Sequence, residues 1–385
     1  MSSSSAAALP PTCRALRQKV YGEAPVVEEI RTPQAVPGTA VVKIEMAAIA
    51  TFMKRIYDGT LQYPYPTPLT LGGSALGHIA ALPVDSTQLR VGQLVLVDCV
   101  VRSRDQPAAD VFLANIHSGY TDGSRKLMAD AWKDVGTFAE YAGVPLENCT
   151  AIDEERMLGG KESGGLGYQV EDLAMLFKML VPWGGLRSVG VTAGETVIVA
   201  PATGGFSGAA VKMALAMGAG KVVAMGRNEA ALERVVAESG GRVVGVRITG
   251  SFEEDLAGLV AACGKTGEAD VFFDISPPSA WESSHLKAAI YALRPGGRVG
   301  LMGGQCEDVK FPYSRIMTRN IKLFGKWMYD QSDIRALIQM AESGILKLRG
   351  GEGTGCKGVF GLDQWQEGSS VAESEGGKGT VLVKP

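Results

Sequence analysis

Gly204, Gly205 and Gly208 fall in one short stretch where main chain alone could hold an anion. Without a Cβ there, backbone can approach a bulky anion closely, and the N–H groups and dipole of a helix start favour negative charge. Glycines also make ordinary turns, so the flanking elements decide. Before the glycines, Thr196 to Ala200 has the pattern of a buried strand, and after them Val211, Ala214, Leu215 and Gly218 recur at helical spacing. Lys221 to Met225 then forms a second apolar strand. Strand, turn, helix and strand make the βαβ unit in which a dinucleotide rests its pyrophosphate on a helix N-terminus.

The second strand runs into Gly226-Arg227-Asn228 and not into an acid. A carboxylate there would accept from a ribose 2′-hydroxyl and repel a 2′-phosphate; an Arg can pair with that phosphate through two charge-assisted hydrogen bonds. The plainer reading of Arg227 is a solvated residue at a helix start. Missing acid and present Arg together point to NADPH. The backbone of Thr203, Gly204, Gly205, Phe206 and Ser207 is expected to hold the pyrophosphate, and Arg227 and Asn228 the 2′-phosphate. The strand ends Ser276-Pro277 and Met302-Gly303-Gly304 are expected to flank the ribose and nicotinamide.

These residues must be positioned by a chain of 385 residues, 46% hydrophobic, which suffices for two domains with real cores. The formal net charge is -3 with Lys and Arg scattered singly, so no electrostatic footprint for nucleic acid exists and a small-molecule substrate fits better. Six cysteines lie far apart without a CxxC pair, which argues for reduced thiols and against a disulfide framework or zinc knuckle. No run reaches about 18 apolar residues and the N-terminus has no secretory pattern, so no membrane partner and a cytoplasmic location are expected.

In chain order, residues 1–12 are Ser/Ala/Pro-rich and expected to be disordered. Short strand patterns follow at Cys13 to Lys19, Val26 to Ile30, Ala40 to Ala50, Ala75 to Leu82, Gln93 to Val101 and Gly136 to Val144, giving a β-rich domain, a partly open barrel. Residues 102–135 lack strand periodicity and suggest a substrate-facing lid. A helical stripe over Glu171 to Val181 is expected to break at Pro182-Trp183-Gly184-Gly185. Beyond the βαβ unit, strands at Arg242 to Val246, Val271 to Ile275, Arg298 to Met302 and Ile321 to Gly325 are expected. Helices at Glu253 to Cys263, His285 to Leu293 and Gln331 to Ser343 lie between several of them. The class is α/β: a Rossmann-type doubly wound parallel sheet over 156–344, plus a β-rich substrate domain over 13–155 that Gly358 to Gly361 and Thr380 to Lys384 return to complete within 345–385.

This order, with TLGGSALGHIAAL (70–82), the Gly-rich unit (194–219), DVFFDISPP (270–278), LRPGGRVGLMGG (293–304) and GKGTVLV (377–383), resembles the medium-chain dehydrogenase/reductase superfamily from Arg14 to Lys384. The resemblance implies that the β-rich domain is GroES-like. It also implies that Phe324, Gly325 and Trp327 lie near the nicotinamide, that Lys378 lies near the cleft, and that two copies pair through the sheet edge around Arg298 to Met302 and Phe311 to Gly325 as a homodimer. In zinc members of the family a Cys, a His-Glu pair and a later Cys or Asp hold the metal. Here Ala50-Thr51 and Gly73-Ser74 stand near the first two places, and residues 100–135 contain no Cys for a structural zinc. His78, His117 and His285 are too dispersed to substitute, so no metal is expected.

Without a Lewis acid a simple ketone must be polarised by hydrogen bonds alone, whereas in an enone the charge spreads into an enolate. Hydride transfer from NADPH to an activated C=C, quinone or carbonyl follows as the leading expectation. A zinc-independent alcohol dehydrogenase or ketone reductase is the alternative, and an NADPH-binding scaffold without redox activity the rival of another class. Thr51, Phe52 and Lys54 match the family's substrate side. Thr51 and Lys54 could hydrogen-bond a carbonyl oxygen, and Tyr57, Tyr63 and Tyr65 could donate a proton. Taken alone, each reads first as a structural residue, and aromatic residues interleaved with Pro64, Pro66 and Pro68 commonly form just a packed loop.

Overall fold

The computed structural model describes residues 9–385 apart from 238, 305–307, 350–354 and 377. Most of the expected disordered segment, residues 1–8, therefore lies outside the described residues, and the first strand begins at its end, as Thr12–Gln18. Contacts divide the chain into two compact units: Met1–Phe177 with Ile338–Arg349 and Thr354–Pro385, and Lys178–Leu337 with Gly350–Gly353. The limits expected from sequence, after 155 and after 344, fall inside the first unit.

The first unit is built on the strand Thr39–Ile49, whose 11 residues pair with three others. Two register shifts against Ala75–Ala81, at Val41/Val42 and Ile44/Met46, bend it. The resulting sheet of seven runs Cys149–Ala151, Leu94–Val97, Ala75–Ala81, Thr39–Ile49, Thr380–Val383 and Cys356–Phe360, with Tyr141–Pro145 added beside Thr39–Ile49. The chain's last strand thus closes the first unit, as expected. A second sheet joins Val26–Arg31, Thr12–Gln18 and Leu69–Thr70.

The segment 102–135 is more ordered than its pattern suggests. Val100–Arg102 pairs with Val111–Leu113, and a helix, Asp122–Leu127, is capped by Thr121, whose hydroxyl accepts from Ser124 N–H at 3.1 Å. Phe112 and Met128 are fully buried, so the segment supplies core side chains to its own unit.

In the second unit six parallel strands lie in the order Val243–Arg247, Lys221–Gly226, Thr196–Ala200, Ala269–Asp274, Leu293–Leu301 and Lys322–Gly325. The central strands are buried on both faces and so consist of continuous apolar runs such as TVIVA and DVFF. Ile198, Val223, Met225, Phe272 and Val299 form one core with Leu259, Ala288 and Ile290 from the crossover helices Phe252–Cys263 and His285–Tyr291.

The helix expected to stop at Pro182 continues instead from Met175 to Ser188. Within the second unit, Trp183 Nε1 donates to Asp333 O at 2.9 Å. A Cβ on Gly184 would lie 2.7 Å from Tyr329 Cβ, and one on Gly185 2.5 Å from Phe273 Cε2 and 2.7 Å from Met302 Sδ. The glycines bring this helix hard against its neighbours, and that packing overrides the local breaking tendency of Pro and Gly. Gly185→Ala is accordingly expected to lower the unfolding free energy by about 1–3 kcal/mol in urea denaturation. Gly160→Ala, where a Cβ would meet nothing within 4 Å, is the control expected to change little.

Candidate functional site

The turn after Thr196–Ala200 leads into the helix Gly205–Ala216, with Gly204 at its cap. Gly204 N–H donates to Ser207 Oγ at 2.8 Å, and Gly208 N–H to Gly204 O at 2.7 Å, so the turn is held by its own residues. The N–H groups of Gly205 and Ser207 have no acceptor within the helix and lie at its positive end. A Cβ on Gly204 would find only Ser207 Oγ, at 3.0 Å, and one on Gly208 only Ala202 O, at 3.8 Å. Beyond the turn's own Ser207 and Ala202, no described residue crowds these two positions, which fits a pyrophosphate held by main chain.

The neighbouring strand end touches this turn. Ala202 N–H donates to Met225 O at 2.6 Å, and a Cβ on Gly226 would lie 2.7 Å from Thr203 Cγ2. Arg227 follows directly, exposed and without a hydrogen bond or ion pair among the described residues. The side chain of Asn228 is engaged in capping, since its Oδ1 accepts from Ala231 N–H at 3.0 Å at the start of the helix Glu229–Ala237. Of the two residues expected at a 2′-phosphate, Arg227 is the one with a charge to offer.

On the other side of the turn, Ile275 N–H donates to Ala200 O at 3.1 Å, Met302 N–H to Asp274 O at 2.9 Å, and Gly304 N–H to Ser276 O at 2.8 Å. Ser276, Pro277, Met302, Gly303 and Gly304 are thereby gathered at one edge of the sheet together with Thr203 to Ser207. Phe324 and Gly325 end the next strand, and Trp327 beyond them is partly exposed. Sequence reasoning passed over two residues at this edge, Asp274 and His285, both almost wholly buried. The available signal was an acid closing an otherwise apolar strand.

In the first unit the expected proton donor Tyr57 is not available as one. Its side chain is 2% exposed, its hydroxyl donates to Asn115 O at 2.8 Å, and burial pushes the phenol's pKa well above its ordinary value. Its ring packs edge-on against Tyr65 and Trp365, which makes it a core residue. Tyr65 is also buried, and its hydroxyl donates to Ile56 O at 3.2 Å. Tyr63 packs edge-on to His117. Thr51 is half-buried just before the helix Met53–Tyr57, and Lys54 on that helix lies 3.4 Å from Glu373. Lys378 is exposed, its N–H donating to Glu375 O at 3.0 Å.

Of the positions where the resemblance would put zinc ligands, Gly73 is closely packed. A Cβ on Gly73 would lie 2.7 Å from Ile116 Cδ1, 3.0 Å from Cys99 Cβ and 3.2 Å from Ala114 O, so no side chain longer than hydrogen fits without rearrangement. Asp98 lines a water-sized cavity beside Gly72 and Gly73, where burial pushes its carboxyl up to about 7. Its two oxygens accept from Val100 N–H and Asn148 Nδ2. His78 lies between Glu45 and Glu154, at 3.5 and 3.3 Å. Among the described residues no group of three or more His, Cys, Asp or Glu side chains is placed to hold a metal.

Two family models match the chain: an alcohol dehydrogenase GroES-like domain over residues 36–154 and a zinc-binding dehydrogenase over residues 205–343. An L-threonine 3-dehydrogenase of Pectobacterium carotovorum is 24% identical over 91% of this chain and 93% of its own. A zinc-type alcohol dehydrogenase-like protein of Escherichia coli is 30% identical, but over 46% of each chain, so this chain spans under half of that relative's length. Among solved structures, an Escherichia coli alcohol dehydrogenase in complex with NADH superposes with a TM-score of 0.76 at 19% identity, covering 98% of this chain and 100% of that one. A zinc-binding dehydrogenase of Sinorhizobium meliloti bound to NADP gives 0.73 at 19% identity, covering 97% and 99%. Two matched domains in this order, the sheet topology and the Gly-rich turn agree: the chain belongs to the medium-chain dehydrogenase/reductase superfamily and is an oxidoreductase of the alcohol dehydrogenase type.

Proposed function

We propose that this protein is a zinc-independent, NADPH-dependent reductase of an activated C=C, quinone or carbonyl in a small organic substrate. The observation that carries the zinc-independent part is Gly73, whose missing side chain leaves no ligand and whose surroundings leave no room for one. Thr51 and Gly73 supply no strong donor where the family's ligands stand, and a tetrahedral zinc site needs about four N, S or carboxylate ligands. The residues present do not fit a catalytic zinc.

NADPH, when bound, supplies the hydride. The protein's own part is to fix the dinucleotide: Gly205 and Ser207 receive the pyrophosphate on main-chain N–H groups, with Gly204 N–H bracing the turn through Ser207 Oγ, and Arg227 receives the 2′-phosphate. On the substrate side Thr51 and Lys54 remain the candidate hydrogen-bond donors; a carbonyl oxygen that gains negative charge is stabilised by such donors more in the transition state than in the ground state. Conjugation lowers the demand on them, which favours enones and quinones over simple ketones. The second reading, a zinc-independent alcohol dehydrogenase, is favoured by the likeness to an L-threonine 3-dehydrogenase. A redox-inactive NADPH-binding scaffold is the third.

NADPH oxidation measured over a panel of enones, quinones and ketones separates these readings. Turnover of the conjugated substrates is expected, undiminished by a chelator and with no stoichiometric zinc by elemental analysis. One zinc per chain, or loss of activity with its removal, would overturn the metal-free reading, and no oxidation at all would leave the scaffold.

Arg227→Ala removes charge-assisted hydrogen bonds worth about 1.5–3 kcal/mol, a roughly ten- to hundredfold rise in the NADPH dissociation constant with NADH hardly affected. Arg227→Asp is expected to reverse the preference. Equal weakening of both cofactors would sink the assignment.

The proposal extends to a homodimer. Among the described residues Lys322–Gly325 ends the six-stranded sheet as an unpaired edge with Leu323 exposed on it, and Phe311, Tyr313 and Met317, exposed too, precede it in the chain. An edge of this kind pairs readily with a second copy. Light scattering at micromolar concentration is expected to give twice the chain mass, and a monomer mass contradicts it.

A further inference from the structure

The strand Ala269–Asp274 is apolar in its interior yet closes on a carboxylate that is 3% exposed. Such a group is costly to bury unless donors surround it. Ser276 Oγ donates to Asp274 Oδ1 at 2.5 Å and lies 2.9 Å from His285 Nε2, which is itself 3.4 Å from the same carboxylate oxygen. His285 Nδ1 is 2.7 Å from Ser283 Oγ. The hydroxyl proton of Ser276 is used toward Asp274, so the serine oxygen is left to accept. His285 Nε2–H then donates to Ser276 Oγ, Nδ1 pairs with Ser283 Oγ, and every partner is satisfied.

That network holds one carboxylate oxygen. Among the described residues no donor reaches the other, Oδ2. It lies 2.7 Å from where a Cβ on Gly303 would be, so the glycine is what leaves that side of the carboxylate uncovered. The same loop is fixed in place by Met302 N–H to Asp274 O and Gly304 N–H to Ser276 O.

The position of Oδ2 on the sheet indicates what could supply the missing donor. The strands carrying Arg227 and Asp274 lie on opposite sides of Thr196–Ala200, whose turn starts the helix Gly205–Ala216. Ligands of open parallel sheets bind across such a switch point, outside the carboxyl ends of the strands. With the pyrophosphate on that helix and the adenosine on the Arg227 side, the other ribose falls on the side of Asp274 and Gly303. A ribose offers hydroxyl donors and no charge, which suits a carboxylate with one oxygen spare.

We propose that Asp274, clamped by Ser276 and His285, accepts through Oδ2 a hydroxyl of the nicotinamide-side ribose and so sets where the nicotinamide lies. This rests on the dinucleotide reading above. The amide of Asp274→Asn keeps the shape but loses the charge of this acceptor.

The test compares two ligands by fluorescence or calorimetric titration: NADPH, which has the second ribose, and 2′,5′-ADP, which does not. Asp274→Asn is expected to weaken NADPH roughly five- to thirtyfold while leaving 2′,5′-ADP unchanged. Ser276→Ala keeps the carboxylate but loosens its clamp, and is expected to give a smaller loss, again confined to NADPH. It carries the test should Asp274→Asn fail to fold. Equal weakening of both ligands would mean that the cluster only supports the sheet edge, and no change in either would mean that Oδ2 meets no ligand; both results overturn the proposal. If the wild type itself ignores the 2′-phosphate, the NADPH reading fails separately, and the same comparison is made with NADH against 5′-AMP.

Discussion

The arrangement of the site depends on main-chain hydrogen bonds that tie one strand end to the next past the limit of the regular sheet. Met225 O, Ala200 O, Asp274 O and Ser276 O accept in turn from Ala202, Ile275, Met302 and Gly304. A parallel sheet leaves its carboxyl edge as a row of chain exits, and loops leaving such a row would ordinarily be free to diverge. Here each exit is pinned to its neighbour before it turns away. Side chains from four separate strands consequently share one edge, although Thr203 and Gly304 are about a hundred residues apart in sequence.

The pinning also explains which parts of the fold could be foreseen. Buried parallel strands announce themselves as apolar runs, and so Thr196–Ala200 and Lys221–Gly226 lie close to where periodicity puts them. The Gly-rich turn was legible because its chemistry is main-chain chemistry and needs only the absence of side chains. The helix through Pro182 was not, since its continuation depends on contacts of Gly184 and Gly185 with residues far along the chain. The helices Glu229–Ala237 and Trp365–Ser374 and the pairing of Val100–Arg102 with Val111–Leu113 went unforeseen.

Side-chain roles were less legible than backbone ones, for a reason that Tyr57 and Asp274 illustrate from opposite directions. A tyrosine close to the expected substrate-side residues looks available for proton transfer, but burial and the bond to Asn115 O remove Tyr57 from that role. An aspartate inside an apolar motif looks like a strand terminus, but its partners Ser276 and His285 arrive from the following loop and helix. In each case the deciding partner is invisible to local pattern. Gly73 is different: the sequence revealed the missing ligand, and the structure adds that Ile116 and Cys99 have closed the space behind it. Restoring a histidine there would require rebuilding its neighbours as well.

The bond from Gly204 N–H to Ser207 Oγ has a kinetic consequence. A loop that must find its shape after the ligand arrives makes association slower than encounter and adds an entropic cost to each binding event. This turn is braced internally, by a side chain of the helix it begins, and its shape does not wait on the anion. Arrival of the proposed dinucleotide would then resemble docking onto a rigid surface, with residence time governed by the contacts made afterwards at the two outer ends of the ligand.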